Sequence, residues 1–344
     1  MLWETSLRVL ITGAAGFIGS HLSSALLSRG TLAGKGGAQR RIHELVLLDL
    51  VPIGSRKVLG TSQPINVRHV VGDIADSALL DQVLADGVDS VFALGATLTS
   101  QAEADFSRGL EVNLHGLLRL LEACRVRGAM PRFVFTSALA AFGGPLPATV
   151  GDGVELTPQT SYGTQKAMGE LALYDYTRHR FVDGRALRLP IVLVRNGSPQ
   201  PSISDRLAAL IREPLKGQDA KSPWHQGTIV PVASARSVAA NLMAIHDLPP
   251  ESFDHRRALN LCSVSVSIGD LLDALPRAAQ RHGLQGPLGQ VTLLPEPSLQ
   301  AIVDAWPRRF ESERARALGL VADASIDAII DSYLEDNSIK VARK

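Results

Sequence analysis

The chain has 344 residues, 45% of them hydrophobic and 20% charged, and its net charge is +1, a globular balance with room for one large domain or two. A charge so near zero excludes a broad basic or acidic field, so neither nucleic acid nor an anionic membrane is an expected partner. Two cysteines, Cys124 and Cys262, are too few for a disulfide framework or a zinc site and fit a reducing cytoplasm.

The predicted elements alternate. Leu7–Thr12 reads as a buried strand, and Phe17–Arg29 as a helix ending at Gly30. The stretch from Leu7 to Leu27 is mostly apolar, but Arg8, His21 and three glycines interrupt it, so a membrane anchor is not expected. Thr31–Arg41, rich in Gly, Lys and Arg, reads as a solvated loop. Leu45–Leu48 is a second strand closed by Asp49, and Val67–Val71 a third closed by Gly72 and Asp73. A helix at Ser77–Ala85 and a strand at Ser90–Leu94 follow, then one long helix from about Ala104 to Arg127. Arg132–Thr136 is a fifth strand, Ser161–His179 a helix, and Gly184–Val194 holds a sixth strand.

These strands are continuous apolar runs separated by helices. That pattern predicts an α/β fold, a doubly wound parallel Rossmann sheet covered on both faces. After about Asn196 the prolines at 199, 201, 214, 223 and 231 break the chain into short pieces, with short elements around Ala258–Leu261 and Ile268–Ala274 and an isolated helix at Glu311–Leu320. The expectation is a Rossmann domain over 1–195 and a smaller C-terminal α/β substrate lobe over 196–344, with segments free to cross between them.

The turn from Thr12 to Gly19 has glycines at 13, 16 and 19, between a strand and a helix. Gly13 permits the tight turn, Gly16 lets the backbone approach a pyrophosphate, and Gly19 allows close helix packing. The helix N-terminus then offers free N–H groups to the phosphates. Asp49, at the end of the second strand, can accept hydrogen bonds from both adenosine ribose hydroxyls and repels a 2′-phosphate, which favours NAD over NADP. Arg56 and Lys57 nearby weaken that preference. Asp73 and the N–H of Ile74 are placed to meet the adenine edge.

Tyr162 and Lys166 lie four residues apart, on one face of a helix. A phenol with an ordinary pKa near 10 is a poor base, but a neighbouring ammonium favours the phenolate. Tyr162 can then take a hydroxyl proton while hydride leaves carbon, and return it in reverse. Lys166 can also hydrogen-bond the nicotinamide ribose.

With Asp49, Asp73-Ile74 and Asn113, the glycine turn and the Tyr162–Lys166 pair resemble the extended short-chain dehydrogenase/reductase (NAD-dependent epimerase/dehydratase) superfamily over nearly the whole chain. The resemblance implies NAD between sheet and lobe, with Phe17, Ile18, Leu94, Gly95 and Pro190 among its contacts. It implies that Asn113 supports the active site or its proton path. It also implies a homodimer that pairs the helices carrying Asn113 and Tyr162. Val71–Asp76, Phe142–Pro147, Leu156–Lys166, Phe181–Pro190, Ile211–Leu215 and Arg314–Gly319 further resemble the D-erythronate dehydrogenase group. That implies oxidation of a small-molecule substrate, a four-carbon sugar acid, at C2 to a 2-keto acid.

The pattern breaks around the substrate. Ala138 stands where the superfamily has a Ser or Thr, with Thr136 and Ser137 as the nearest hydroxyls; Ser137 is the candidate replacement if the turn shifts by one residue. Ala93 stands where a His is common, and Asn196 and Ser198 where the narrower group has Pro and Lys. Arg195 and Arg212 are candidate clamps for a substrate carboxylate. A nucleotide-sugar epimerase or dehydratase, a carbonyl reductase on a less polar substrate, and a non-catalytic NAD-binding protein therefore stay open as alternatives.

Overall fold

The computed structural model describes residues 6–53, 64–194 and 202–337. β1 (Ser6–Thr12) is buried almost throughout and runs through the glycine turn into α1 (Phe17–Arg29), which ends at a left-handed Gly30. β2 (Thr31–Ala33) and the start of β3 (Gln39–Asp49) form an antiparallel hairpin where a solvated loop was expected. Gly36 and Gly37, both at positive φ, make its turn, and Leu32 and Ala33 are buried. The Gly and Lys content hid this strand pair.

β4 (Asn66–Val71), α2 (Ser77–Val83) and β5 (Ser90–Ala93) come next. A short helix, α3 (Thr99–Ala104), precedes the expected long one, which runs without a gap as α4 (Phe106–Leu110), a π-helical turn at Glu111–His115 and α5 (Gly116–Arg127). The break between α3 and α4 falls at Asp105, whose side chain accepts from Arg108 N–H and caps α4. β6 (Arg132–Ala138) leads through a 3₁₀ turn at Leu139–Ala141 to α6 (Ser161–Arg178) and β7 (Asp183–Leu189).

β8 (Ile191–Leu193), α7 (Ile203–Leu215), β9 (Ala220–Ser222), β10 (Ile229–Ser234) and α8 (Ala235–Asp247) follow, then β11 (Ala258–Asn260) and β12 (Val264–Ser267). α9 (Ile268–Arg281) is twice the expected length and carries Pro276 in its interior. β13 (Val291–Leu293), α10 (Pro297–Asp304), α11 (Glu313–Ala317) and α12 (Ile326–Asn337) complete the described chain. The helix expected at Glu311–Leu320 is only the five residues of α11.

The large sheet is parallel in the order β4-β3-β1-β5-β6-β7-β11, with β2 antiparallel on the other part of β3. This is the doubly wound Rossmann order, and the strand order reverses between β1 and β5. One face is covered by α2, α5 and α6, the other by α1 and α8. The lobe has its own apolar core around Trp224 and Phe310, two small sheets (β12-β10-β8 and β13-β9), and α7, α9 and α12. Segments do cross. β8 joins the lobe sheet from before residue 195, while α8 and β11 return to the Rossmann sheet from after it.

The N-terminal ends of β6 and β7 meet α8 through buried charge. Arg185 donates from Nη1 to the carbonyls of Ile245, His246 and Leu248, satisfying the end of α8, and pairs with Asp183. Arg185→Leu leaves the carbonyls of Ile245 and Leu248 without this buried donor and takes the nearest cation from Asp183, which keeps Arg257 and Arg132. Urea unfolding should show a loss of about 3–5 kcal/mol, and a loss under 1 kcal/mol would mean that the network is dispensable.

Candidate active site

The glycine turn and the end of β5 touch at the point where the strand order reverses. Gly13 has φ +70°, and a Cβ there would lie 2.7 Å from Gly95 N. A Cβ on Gly19 would lie 2.2 Å from the Gly13 carbonyl oxygen. Thr12 ties the two segments: its carbonyl accepts from Leu94 N–H at 3.2 Å and its hydroxyl from Gly95 N–H at 3.2 Å. Gly16 caps α1 without a side-chain hydrogen bond, and the first turn carries no acidic residue. The N–H groups of Phe17 and Ile18 are therefore left for an anion.

Asp49 sits beside this turn. One carboxylate oxygen accepts from Ala15 N–H at 2.9 Å and the other from Val51 N–H at 3.3 Å. Each keeps lone pairs for a ribose hydroxyl. Asp73, on the next strand end, accepts from Ala75 N–H at 2.9 Å and pairs with Arg108 at 2.7 Å. Burial pushes its carboxyl up, but the Ala75 bond and Arg108 outweigh that and hold it below the usual range. Ile74 packs against Gly95 and Gly116, where a Cβ would come within 3.4 Å and 2.9 Å of it. A glycine cradle that any Cβ would fill, an uncapped helix start and two carboxylates one strand apart fit an NAD-type dinucleotide.

The second half of the site is built by α6. Thr160 caps it, accepting from Gly163 N–H at 3.1 Å. A Cβ on Gly163 would lie 1.9 Å from the Ala140 carbonyl oxygen, so this glycine lets the helix start against the end of β6. Tyr162 is half-buried, and burial pushes its phenol up to about 12. Lys166 is buried: its Nζ donates to the Thr136 carbonyl at 2.8 Å and lies 4.7 Å from the Phe135 ring centre and 5.6 Å from that of Tyr162. Burial lowers its ammonium to about 7, against a smaller upward pull from Glu170.

Asn113 lies in the π-helical turn, a local irregularity often found at functional sites. Its Oδ1 accepts from Thr97 N–H at 2.8 Å, and its Nδ2 donates to Gln165 Oε1 at 2.7 Å. It thus joins the segment after β5 to α6. Sequence reasoning missed Gln165 and Gly163, although both lie inside the Tyr162–Lys166 motif.

β6 pairs with β7 in unbroken register through Ala138, and the 3₁₀ turn begins at the next residue, Leu139. Ala138 stays half-exposed at the site, and Thr136 Oγ1 donates to the Ala93 carbonyl at 3.3 Å. Among the described residues Ser137 Oγ has no hydrogen-bond partner; it is buried one residue beyond the carbonyl that holds Lys166. Pro190 is buried between β7 and β8. Arg212 is fully buried and pairs with Asp205 at 3.0 Å and Glu213 at 2.8 Å, so it is a core ion pair of α7 and not a carboxylate clamp. Arg56, Lys57, Arg195, Asn196 and Ser198 lie outside the described residues. Among the described residues no cluster of metal-ligating groups occurs, and no helix is long and apolar enough to cross a membrane.

Comparison with known proteins agrees with this geometry. The model of the NAD dependent epimerase/dehydratase family matches residues 9–231. A D-erythronate dehydrogenase of Cupriavidus necator is 43% identical, covering 96% of this chain and 98% of its own. One from Haemophilus influenzae is 33% identical, covering 96% and 99%. Among solved structures, a nucleoside-diphosphate-sugar epimerase from Agrobacterium tumefaciens superposes with a TM-score of 0.87 at 32% identity, covering 97% of this chain and 95% of its own.

The buried ammonium carries a pH signature. Below about pH 7 folded and unfolded chains both hold the Lys166 proton, and the burial cost is full. Between there and the ordinary value of 10.5 the folded chain binds fewer protons, so this group's contribution to stability rises with pH. Lys166→Met should therefore raise the urea midpoint of the cofactor-free protein more at about pH 6 than at about pH 9.5. An equal change at both pH values would show that the ammonium is not desolvated.

Proposed function

We propose that this chain, which belongs to the NAD dependent epimerase/dehydratase family, is an NAD-dependent dehydrogenase that oxidises a hydroxyl of a small sugar acid, D-erythronate at C2 being the leading substrate. The observation that carries the reading is the Tyr162–Lys166 pair, set against the end of β6 at the same sheet edge as the glycine turn and Asp49. Near full-length similarity to two D-erythronate dehydrogenases supports the substrate class.

In this reading the N–H groups of Phe17 and Ile18 hold the pyrophosphate, with Gly13, Gly16 and Gly19 giving it room. Asp49 binds the adenosine ribose and disfavours a 2′-phosphate, and Asp73 and Ile74 bind adenine. Leu94, Gly95 and Pro190 flank the nicotinamide half. When bound, NAD supplies the hydride acceptor. Tyr162 takes the proton of the substrate hydroxyl. Its phenol, held high by burial, needs the charge of Lys166 to ionise. Asn113 braces α6 against the segment after β5. Ser137 supplies the hydroxyl that Ala138 lacks, its buried Oγ having no hydrogen-bond partner among the described residues. The Rossmann unit over 1–195 and the lobe over 196–344 enclose the substrate.

Tyr162→Phe should abolish NADH formation from NAD and D-erythronate while NADH binding, followed by fluorescence, persists. Turnover at the wild-type rate in that variant would refute the base assignment. Ser137→Ala should lower kcat about 100-fold or more if its hydroxyl contacts the reacting oxygen.

The similarity to a nucleoside-diphosphate-sugar epimerase favours a second reading, a nucleotide-sugar epimerase. Cofactor retained through purification, with no net NADH from sugar acids, would decide for it.

A homodimer in the cytoplasm completes the proposal. Met168, Leu171 and Tyr174 expose one apolar face of α6, and Val126 of α5 is exposed as well. Leu171→Glu should shift the sedimentation coefficient from dimer to monomer, and an unchanged dimer would place the interface elsewhere.

A further inference from the structure

Tyr162, Lys166 and Glu170 occupy successive turns on one side of α6. Positions four apart on a helix bring their Cβ atoms to roughly 5–6 Å. Lys166 and Glu170 are both buried against the sheet. Glu170 does not face Lys166 alone: Arg188 of β7 grips it with both prongs of the guanidinium, Nε to Oε1 at 2.8 Å and Nη2 to Oε2 at 2.7 Å. Arg188 is itself fixed, with Nη1 donating to Asn260 Oδ1 at 3.2 Å and its guanidinium 5.2 Å from the centre of the Phe142 ring. In register it stands opposite Ser137. A bidentate ion pair, braced on both sides and buried one turn from the reacting groups, is costly to maintain for packing alone.

The other charged groups on elements packed against α6 have their partners elsewhere. Glu103 of α3 accepts from Ser161 N–H at 2.5 Å, and Arg108 of α4 pairs with Asp73. Glu111 of the π-helical turn pairs with His115 and with Arg119 of α5. Glu122 and Arg125 of α5 pair with each other, and Arg127 reaches Asp81. Arg132, Asp183 and Arg185 cluster at the opposite ends of β6 and β7. Among the described residues, the charges that remain next to Lys166 are thus Glu170 and, behind it, Arg188.

We infer that the Glu170–Arg188 pair is a positioning element that sets the electrostatic environment of Tyr162 and Lys166, and with it the pH range of turnover. Glu170 is the nearer charge and favours the protonated form of Lys166 against the larger effect of burial, while Arg188 limits how far that stabilisation goes. Neither touches substrate or cofactor. The inference rests on the assignment of Tyr162 and Lys166 above.

The sign of each substitution follows from charge alone. Removing a negative charge lowers the pKa of every neighbour, and removing a positive charge raises it. Glu170→Gln should move the pH profile of kcat/KM to lower pH by about one unit, and Arg188→Met should move it to higher pH by a similar amount. The double variant E170Q/R188M should return close to the wild-type profile. Thermal melts check folding. Glu170→Asp and Arg188→Lys, which withdraw the charges without deleting them, carry the same signs more weakly and replace either deletion that does not fold. Profiles that move in the same direction, or stay in place while kcat falls, would overturn the inference and leave the pair as packing. If Tyr162→Phe retains full turnover, the assignment beneath the inference fails. If that variant is inactive and the profiles still do not move, the inference alone fails.

Discussion

The burial of one ammonium organises the centre of this molecule. Lys166 gives up water for the Thr136 carbonyl, the face of Phe135 and the nearby Tyr162 ring. Such burial is tolerable only where each exchange is precise in geometry, because an unpaired buried charge is expensive. The consequences reach outward. α6 must lie close on β6, which Gly163 permits at its start and Gly169 permits at its middle, where a Cβ would sit 2.9 Å from Phe135 Cζ. Glu170 must supply a compensating charge, and Arg188 must in turn hold Glu170.

The cofactor half of the site depends on a different constraint, the absence of side chains. Gly13, Gly19 and Gly95 bring two backbones together where the strand order of the sheet reverses, and no hydrogen-bonding side chain competes for the start of α1. Asp49 is tied to that turn by the Ala15 N–H, so the carboxylate and the anion-binding helix end are one rigid unit. The two halves meet through Thr97, Asn113 and Gln165, a chain of hydrogen bonds from the end of β5 to the catalytic helix proposed here.

Much of this was legible in the residues. The glycine spacing between an apolar strand and a helix, the carboxylates closing the next two strands, and Tyr162 with Lys166 at helical spacing are local signals, and each has a local physical meaning. The resemblance to a family added Asn113. Other features were invisible or misread. Thr31–Ala33 looked like loop because its hairpin is dictated by Gly36 and Gly37 and by a partner strand, not by apolar alternation. The helix expected from about Ala104 starts where Asp105 caps it, but the π-helical turn at Glu111–His115 inside it left no mark in the residues. Arg212 looked like a ligand for a carboxylate, but its carboxylates belong to its own helix, Asp205 and Glu213.

The sequence by itself determined the class of fold and the chemistry of the cofactor turn, because strand periodicity, glycine spacing and helix spacing act over a few residues. Tertiary structure alone decided which charges become partners. Glu170 and Arg188 are 18 residues apart and on different elements, and only the packing of α6 on β7 makes them a buried pair. It also decided that Ala138 keeps its place at the end of a regular β6 and that Ser137 Oγ is buried with no partner among the described residues, since strand register is set by neighbouring strands.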